Sequence, residues 1–280
     1  MPEVASRLLA VVSVGSHRVA GLWHELAGAV QQTANARSRF RLVSDVVLFR
    51  VLRLWPSLGD NAPEREIQLR GARLTYRLNR GDIQGIREVW TDGVYRMPPP
   101  HAFRVVVDLG TNVALTSVWL QRQYGAELVI GVEPDQANVK LARRNFEAND
   151  VHGSVVHAAV GPSDGEARFA PAKGASNLGH VATDGETVRQ ISMNTVLGEI
   201  PSDQRIDLLK IDIEGGEQDL LLADDVFWLD RVDAIIAEFH PDRVDIATLV
   251  DTLERRGFTY YPAGTLWKGS MDIFRKPNIR

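Results

Sequence analysis

The chain has 280 residues, 44% of them apolar and 24% charged, with a net charge of −4 and no cysteine. That length and usage suit one large α/β domain with an appendage, and the mildly acidic balance argues against a dedicated nucleic-acid binder, which needs clustered cations. Without cysteine there are no disulfides, thiolate metal sites or cysteine nucleophiles, as suits a protein of the reducing cytoplasm.

Residues 4 to 55 read as helical. Leu8, Val12, Val19, Trp23, Leu26 and Val30 recur at helical spacing and line one face. The apolar run "LLAVVSVG" is far shorter than the ~18 residues of a membrane span and lacks a cleavage site, so it reads as mature protein. A second helix is expected from an N-cap at Ser44 through "DVVLFRVLRLW" to Pro56. Two such apolar-faced helices suggest a homodimer formed through them. Arg37, Arg39, Arg41, Arg50 and Arg53 read as a solvated basic face. "IQLRGARLTYRL" alternates apolar and polar residues about Gly71 and predicts a β-hairpin. The segment "GDIQGIREVWTDGVYRMPPP" then ends in an extended proline run. The divisions are therefore a helical appendage over 1–60, a hairpin and lid or linker over 61–100, and an α/β domain over 101–280.

From residue 103 strands and helices alternate. "FRVVVDLG", "ELVIGVE", "GSVVHAAVG", "RIDLLKIDI" and "VDAIIAEFH" are apolar strands; helices follow the first two, one closed by Gly125 and one opened by Asp135. A last helix over 242–256 precedes two short strands, "FTYYPA" and "MDIFRK". This order predicts a doubly wound, mostly parallel, Rossmann-like sheet, whose ligands bind beyond the carboxyl ends of the strands.

The first strand ends in Asp108, then Gly110 and a turn into a helix, and the second ends in Glu133. An acid about 20 residues beyond such a glycine commonly takes both ribose hydroxyls of an adenosine. Gly110 would let the backbone approach a ligand. The turn lacks the further glycines of a pyrophosphate site, and Asp108 would repel phosphate while tolerating a cation. S-adenosylmethionine, a sulfonium without phosphate, meets both conditions.

Together "REVWTDGVYRM", "VVDLGTNVALTS", "GVEPDQANVKLARRN", "HAAVG", "IDLLKIDIEGGEQDLL" and "IIAEFH" resemble the FkbM family of S-adenosylmethionine-dependent methyltransferases. The resemblance runs from about residue 65 to residue 275. It implies a class I methyltransferase sheet of seven strands, the last antiparallel, with methyl transfer usually to a hydroxyl oxygen. It also implies that Asp108, Gly110 and Asn112 form the first cofactor loop, that Glu133 is the ribose acid, and that Ala158 and Ala159 lie at the adenine edge. Two positions depart from the family: Ala114 replaces a glycine, and Asn194 stands where aspartate is commoner, so no role is carried onto it.

The fourth strand puts Lys210 and Asp212 on one face, about 7 Å apart along the strand. Glu214 and Glu217 fall at the first turn of the next helix, where the helix dipole alone would favour Glu217. Glu238 and His240 end the adjacent strand. Two chemistries are open. In one, His240 or Asp212 is the general base and Glu238 orients it; histidine's ordinary pKa of about 6.5 makes His240 the better base at neutral pH. In the other, Asp212, Glu238 and Glu214 hold a Mg2+-like ion that acidifies the acceptor. Glu88 and Tyr95 are candidates to close over the cofactor, and Ser176, Asn177 and His180 to touch the acceptor.

The leading expectation is an O-methyltransferase of a small or medium hydroxylated acceptor, such as a sugar of a glycolipid, polysaccharide or natural product. The alternatives are an N- or carboxyl-methyltransferase on the same scaffold, a non-catalytic adenosine-ligand-binding module, and last a nicotinamide dehydrogenase, which the glycine pattern opposes.

Overall fold

The computed structural model describes residues 21–52, 62–98, 102–170, 180–181, 185–240, 243–267 and 269–277. Helix α1 covers 21–32, and α2 (Ala36–Leu52) follows. Helix α1 turns Leu22, Leu26 and Ala29 to the core and leaves Trp23 and Val30 68% and 43% exposed. The expected stripe shares Leu26 with the real one but is rotated about the axis. Both sets have helical spacing, so periodicity could not choose between them. Helix α2 also starts earlier than Ser44. Asn35 is its cap, with Oδ1 accepting the Ser38 N–H at 2.8 Å, while the Ser44 hydroxyl donates back to the Arg41 carbonyl inside the helix. Leu8, Val12, Val19, Arg53 and Pro56 lie outside the described residues. Among the described residues no helix is long and apolar enough to cross a membrane.

The hairpin forms as expected, with β1 (Glu64–Leu69) and β2 (Ala72–Arg77) antiparallel about Gly71 at φ +84°. Its open edge is covered by two buried asparagines, Asn145 inside α5 (Gln136–Ala148) and Asn149 at its end. Each accepts a backbone N–H and donates to a backbone carbonyl, at Thr75 and Arg73 respectively, as another strand would. Hairpin residues Leu74 and Tyr76 belong to the same core as Val106 and Leu208 of the main sheet. Helix α3 (Arg80–Ile86), capped by Asn79, runs directly into a π-helical turn over Arg87–Asp92.

The main strands are β3 (Val105–Leu109), β4 (Leu128–Glu133), β5 (Gly153–His157), β10 (Ile206–Ile211), β11 (Val232–Ala237), β12 (Thr259–Tyr261) and β13 (Asp272–Arg275). They form one seven-stranded sheet in the order β12-β13-β11-β10-β3-β4-β5. Strand β13 alone runs opposite to the other six strands. The inner strands are apolar throughout because helices cover both faces. On β3, Val105, Val107 and Leu109 enter one core and Val106 the other. Helices α4 (Leu115–Tyr124), α5 and α8 (Ile246–Arg255) fall where expected; α6 (Met193–Leu197) and α7 (Glu217–Leu221) are short.

The expected third strand divides. After β5 the chain leaves the main sheet, and β6 (Ala159–Val160) joins a four-stranded sheet with β7 (Gly165–Ala170), β8 (His180–Val181) and β9 (Glu186–Ile191), in the order β6-β9-β7-β8. Strands β7 and β9 are largely solvated and carry no apolar run, which is why the pattern does not predict them. Ser176 and Asn177 lie outside the described residues.

The chain reverses direction between β3 and β10. From β3 it proceeds by α4 to β4 on one side, whereas β10 and β11 lie on the other, which opens a crevice at the carboxyl ends of β3, β10 and β11.

Candidate active site

Under the crevice lies a charge pair. Asp108 is fully buried; its Oδ2 accepts from the Ser117 hydroxyl at 2.6 Å, and its Oδ1 lies 3.1 Å from the Lys210 ammonium. The parallel register sets Lys210 directly beside Asp108. Lys210, 2% exposed, also donates to the Gly110 carbonyl at 2.8 Å and the Leu109 carbonyl at 3.2 Å, and lies 3.5 Å from Asp212 Oδ2. Burial alone would lower its pKa, but Asp108 and Asp212 outweigh that and raise it. Asp108 is thus sealed below the loop and neutralised. Repulsion between Asp108 and phosphate, expected from the sequence, is not what selects the ligand.

The loop above has two residues with left-handed backbone besides Gly110, namely Asn112 at φ +51° and Ala114 at φ +63°. A Cβ on Gly110 would come 1.8 Å from the Asp212 carbonyl oxygen, so the glycine serves a close approach of two protein loops. Gly110 also lies in the wall of the crevice cavity, where a ligand approach is expected from the sequence. At Ala114 the left-handed backbone costs about 1–2 kcal/mol, which a glycine, as the resemblance expects there, would not incur. The wholly buried alanine methyl offsets about 0.8 kcal/mol of that. Asn112 Oδ1 is buried without a hydrogen-bond partner, which marks it as an atom awaiting one.

Glu133 is 5% exposed. Its oxygens accept from Asn112 N at 2.9 Å, Asp135 N at 2.9 Å and Asn138 Nδ2 at 3.1 Å. Three of a carboxylate's about four lone-pair sites are therefore taken. A grip on both ribose hydroxyls requires one donor to let go; a single hydroxyl does not. Burial pushes its pKa up to about 7 despite those donors. Ala158 is entirely buried in the core, and its N–H donates to the Glu133 carbonyl.

At the acidic strand ends, Ile211 pairs with Ala237, so Asp212 and Glu238 follow on adjacent strands as expected. Asp212 Oδ2 accepts from the Tyr95 hydroxyl at 3.3 Å. Tyr95 keeps its proton, since burial and then Asp212 raise its pKa well above the usual value. Glu238 opens to the crevice yet is ringed by protein, and burial followed by Asp212 and Glu88 pushes its pKa up.

His240 departs from expectation. Its partner is Glu217, not Glu238: Nδ1 lies 3.1 Å from Glu217 Oε1, and Nε2 lies 3.4 Å from Glu214 Oε2. The Glu217 hydrogen bond, against burial, raises the His240 pKa to about 9. The two carboxylates beside the ring therefore favour its protonated form when nothing else occupies Nε2. Glu217 itself is wholly buried at the first position of α7. A dipole-favoured surface acid fits its sequence position equally well, and only the fold reveals that it meets His240.

These groups line one cavity of ≈ 300 Å³, closed on its far side by Gly81, Gln84, Gly85 and Glu88 of the α3 segment. Periodicity does not single out α3, although glycines four apart on one helical face are a signal of close approach. Of the expected cofactor residues, Gly110 and Asn112 are in the wall; Asp108, Glu133 and Ala158 are not. Asp212, Glu214, Glu238 and His240 are all there. Four carboxylates, counting Glu88, face Lys210 and His240. The cavity is therefore net negative, which favours a cationic ligand over a pyrophosphate.

Seven strands in this order, with the penultimate position reversed and acids at the switch point, define a class I methyltransferase fold of Rossmann-like form. The family model described as "Methyltransferase FkbM domain" matches residues 108–260, and the chain belongs to that family of methyltransferases. It is 26% identical over 197 residues to "Methyltransferase 1" of Beauveria bassiana (strain ARSEF 2860), covering 61% of this chain and 79% of that protein. It is 28% identical over 255 residues to the "AMB antimetabolite synthetase AmbE" of Pseudomonas aeruginosa, covering 69% of this chain but 11% of that much longer one. Among solved structures, "a putative sam-dependent methyltransferase from Streptococcus mutans" aligns with a TM-score of 0.41 at 12% identity, over 83% of this chain and 64% of that one.

Proposed function

We propose that this methyltransferase uses S-adenosylmethionine and delivers the methyl group to a hydroxyl oxygen of a small or medium acceptor, such as a sugar of a glycolipid, polysaccharide or natural product. The observation that carries the reading is one net-negative cavity in which Asn112 Oδ1, lacking a partner, and the carboxylates of Asp212 and Glu238 share a wall. When bound, S-adenosylmethionine supplies an electrophilic methyl carbon on a sulfonium. Asn112 holds its adenosine side from the wall, a single ribose hydroxyl reaches past it to the one open position on Glu133 behind, and the acidic wall favours its positive charge. Glu238 accepts the hydroxyl proton, since Asp212 is already tied to Lys210 and Tyr95. The rest of the task is alignment of acceptor oxygen, methyl and sulfur, which a rigid strand-end site performs by position.

Incubation of the full chain with methyl-tritiated S-adenosylmethionine and panels of alcohols, amines and carboxylic acids tests this. Label is expected on hydroxyl oxygen, and Glu238→Gln lowers kcat by about 10²–10⁴-fold while cofactor binding persists. Label on nitrogen or carboxylate instead overturns the oxygen specificity.

Glu133 adds a pH signature. A ribose hydroxyl donates to the charged carboxylate, so ionised Glu133 binds it better and its pKa of about 7 falls on binding. Affinity for S-adenosylhomocysteine then weakens by about tenfold from pH 8 to pH 6. Calorimetric titration checks this, and Glu133→Gln should bind more weakly with that pH dependence removed.

A further inference from the structure

We propose that Asp212, Glu214 and His240 form a binding site for one first-row transition-metal dication, of the Mn2+, Co2+ or Zn2+ kind. One ligand atom from each of the three lies within 4.8 Å of the others. Small side-chain adjustments close such a set around an ion with bonds of about 2.0–2.2 Å.

An independent observation comes from behind the ring. Glu217 is wholly buried, its Oε1 is 3.1 Å from His240 Nδ1, and its Oε2 has no partner. A buried carboxylate on the far nitrogen is the arrangement that fixes a metal-ligating histidine, leaving Nε2 to face the ion. Here Nε2 points to Glu214. Glu217 Oε1 also accepts the Ile213 N–H at 3.2 Å, yet one backbone donor does not neutralise a wholly buried carboxylate, whose charge costs several kcal/mol (roughly) without a facing cation. Behind a ligand histidine, that charge raises the ring's basicity.

The set differs from the Asp212, Glu238 and Glu214 expected from sequence. Glu238 is outside the cluster, which leaves it free for the acceptor, and His240 is inside it. The imidazole also changes the ion: hard Mg2+ prefers oxygen alone, whereas Mn2+, Co2+ and Zn2+ accept nitrogen. The site is read from side chains alone; only its use, lowering the pKa of an acceptor hydroxyl beside Glu238, rests on the function proposed above. The competing occupant is a proton, with the imidazolium simply held between Glu214 and Glu217.

Chelator-treated full chain titrated with Mn2+ by electron paramagnetic resonance, and with Co2+ by visible absorption, separates the two. One saturable site is expected, tighter for both ions than for Mg2+. Asp212→Asn and Glu214→Gln should abolish it, Glu217→Gln should weaken it 10–100-fold (about the effect of losing such a partner), and Glu238→Gln should leave Mn2+ binding in place. Titration of S-adenosylhomocysteine into the same samples separates this inference from the methyl-transfer reading. No saturable Mn2+ or Co2+ binding by a chain that still binds S-adenosylhomocysteine overturns the metal site alone. So does Mn2+ binding that persists in Asp212→Asn and in His240→Gln.

Discussion

Replacing Lys210 with methionine is expected to destabilise the fold by about 3–5 kcal/mol, the cost of breaking one side of a buried ion pair. The ammonium is 2% exposed, and it satisfies Asp108, Asp212 and two loop carbonyls at once. Methionine fills the same volume but leaves Asp108 charged and buried with only Ser117 as donor. At about 2–4 °C per kcal/mol for a domain of this size, the melting temperature should drop on the order of 10 °C. Denaturant unfolding measures it. The double variant Asp108→Asn with Lys210→Met should recover much of the loss, because it removes the orphaned charge. A Lys210→Met change below about 1 kcal/mol would mean that the pair is solvated like a surface bridge.

Gly110→Ala is the second large effect. Two penalties act together. Backbone at φ +75° costs an alanine about 1–2 kcal/mol. A methyl 1.8 Å from the Asp212 carbonyl oxygen forces the β3 and β10 loops apart, with overpacking of about 1–3 kcal/mol. Gly71→Ala provides the comparison: φ is +84° there with nothing within 4 Å, so only the backbone cost applies. The expected result is a loss of about 2–5 kcal/mol at Gly110 against about 1–2 at Gly71. Only Gly110→Ala should also lose S-adenosylhomocysteine binding, because it alone moves Asn112 relative to Asp212. Equal losses at the two sites would show that the loops do not meet as described.

Several of these features are legible in the amino-acid order. The inner strands are buried on both faces, so continuous runs such as "RVVVDL" and "DAIIA" announce a parallel sheet, and its order follows from the family resemblance. The pairing of Asp212 with Glu238 also follows, since both residues end strands that must be neighbours. Other features depend on atoms that no pattern encodes. Asp108 has the sequence position of a ligand-facing acid, yet the Lys210 side chain covers it. Glu217 has the position of an ordinary first-turn acid, and its contact with His240 is set by how the β10–α7 and β11 turns fold toward each other. The α1 face and the small sheet escape the sequence for a plainer reason: their apolar patterns are ambiguous or weak.

Donor and acceptor are expected to meet in the cavity between α3 and the ends of β3, β10 and β11. A crystal grown with S-adenosylhomocysteine tests it most directly. Density for the ligand is expected in that cavity, with the ribose toward Glu133, a donor on Asn112 Oδ1 and the sulfur facing Asp212 and Glu238. Ligand bound elsewhere on the chain, or packed between other elements with this cavity closed, would contradict it.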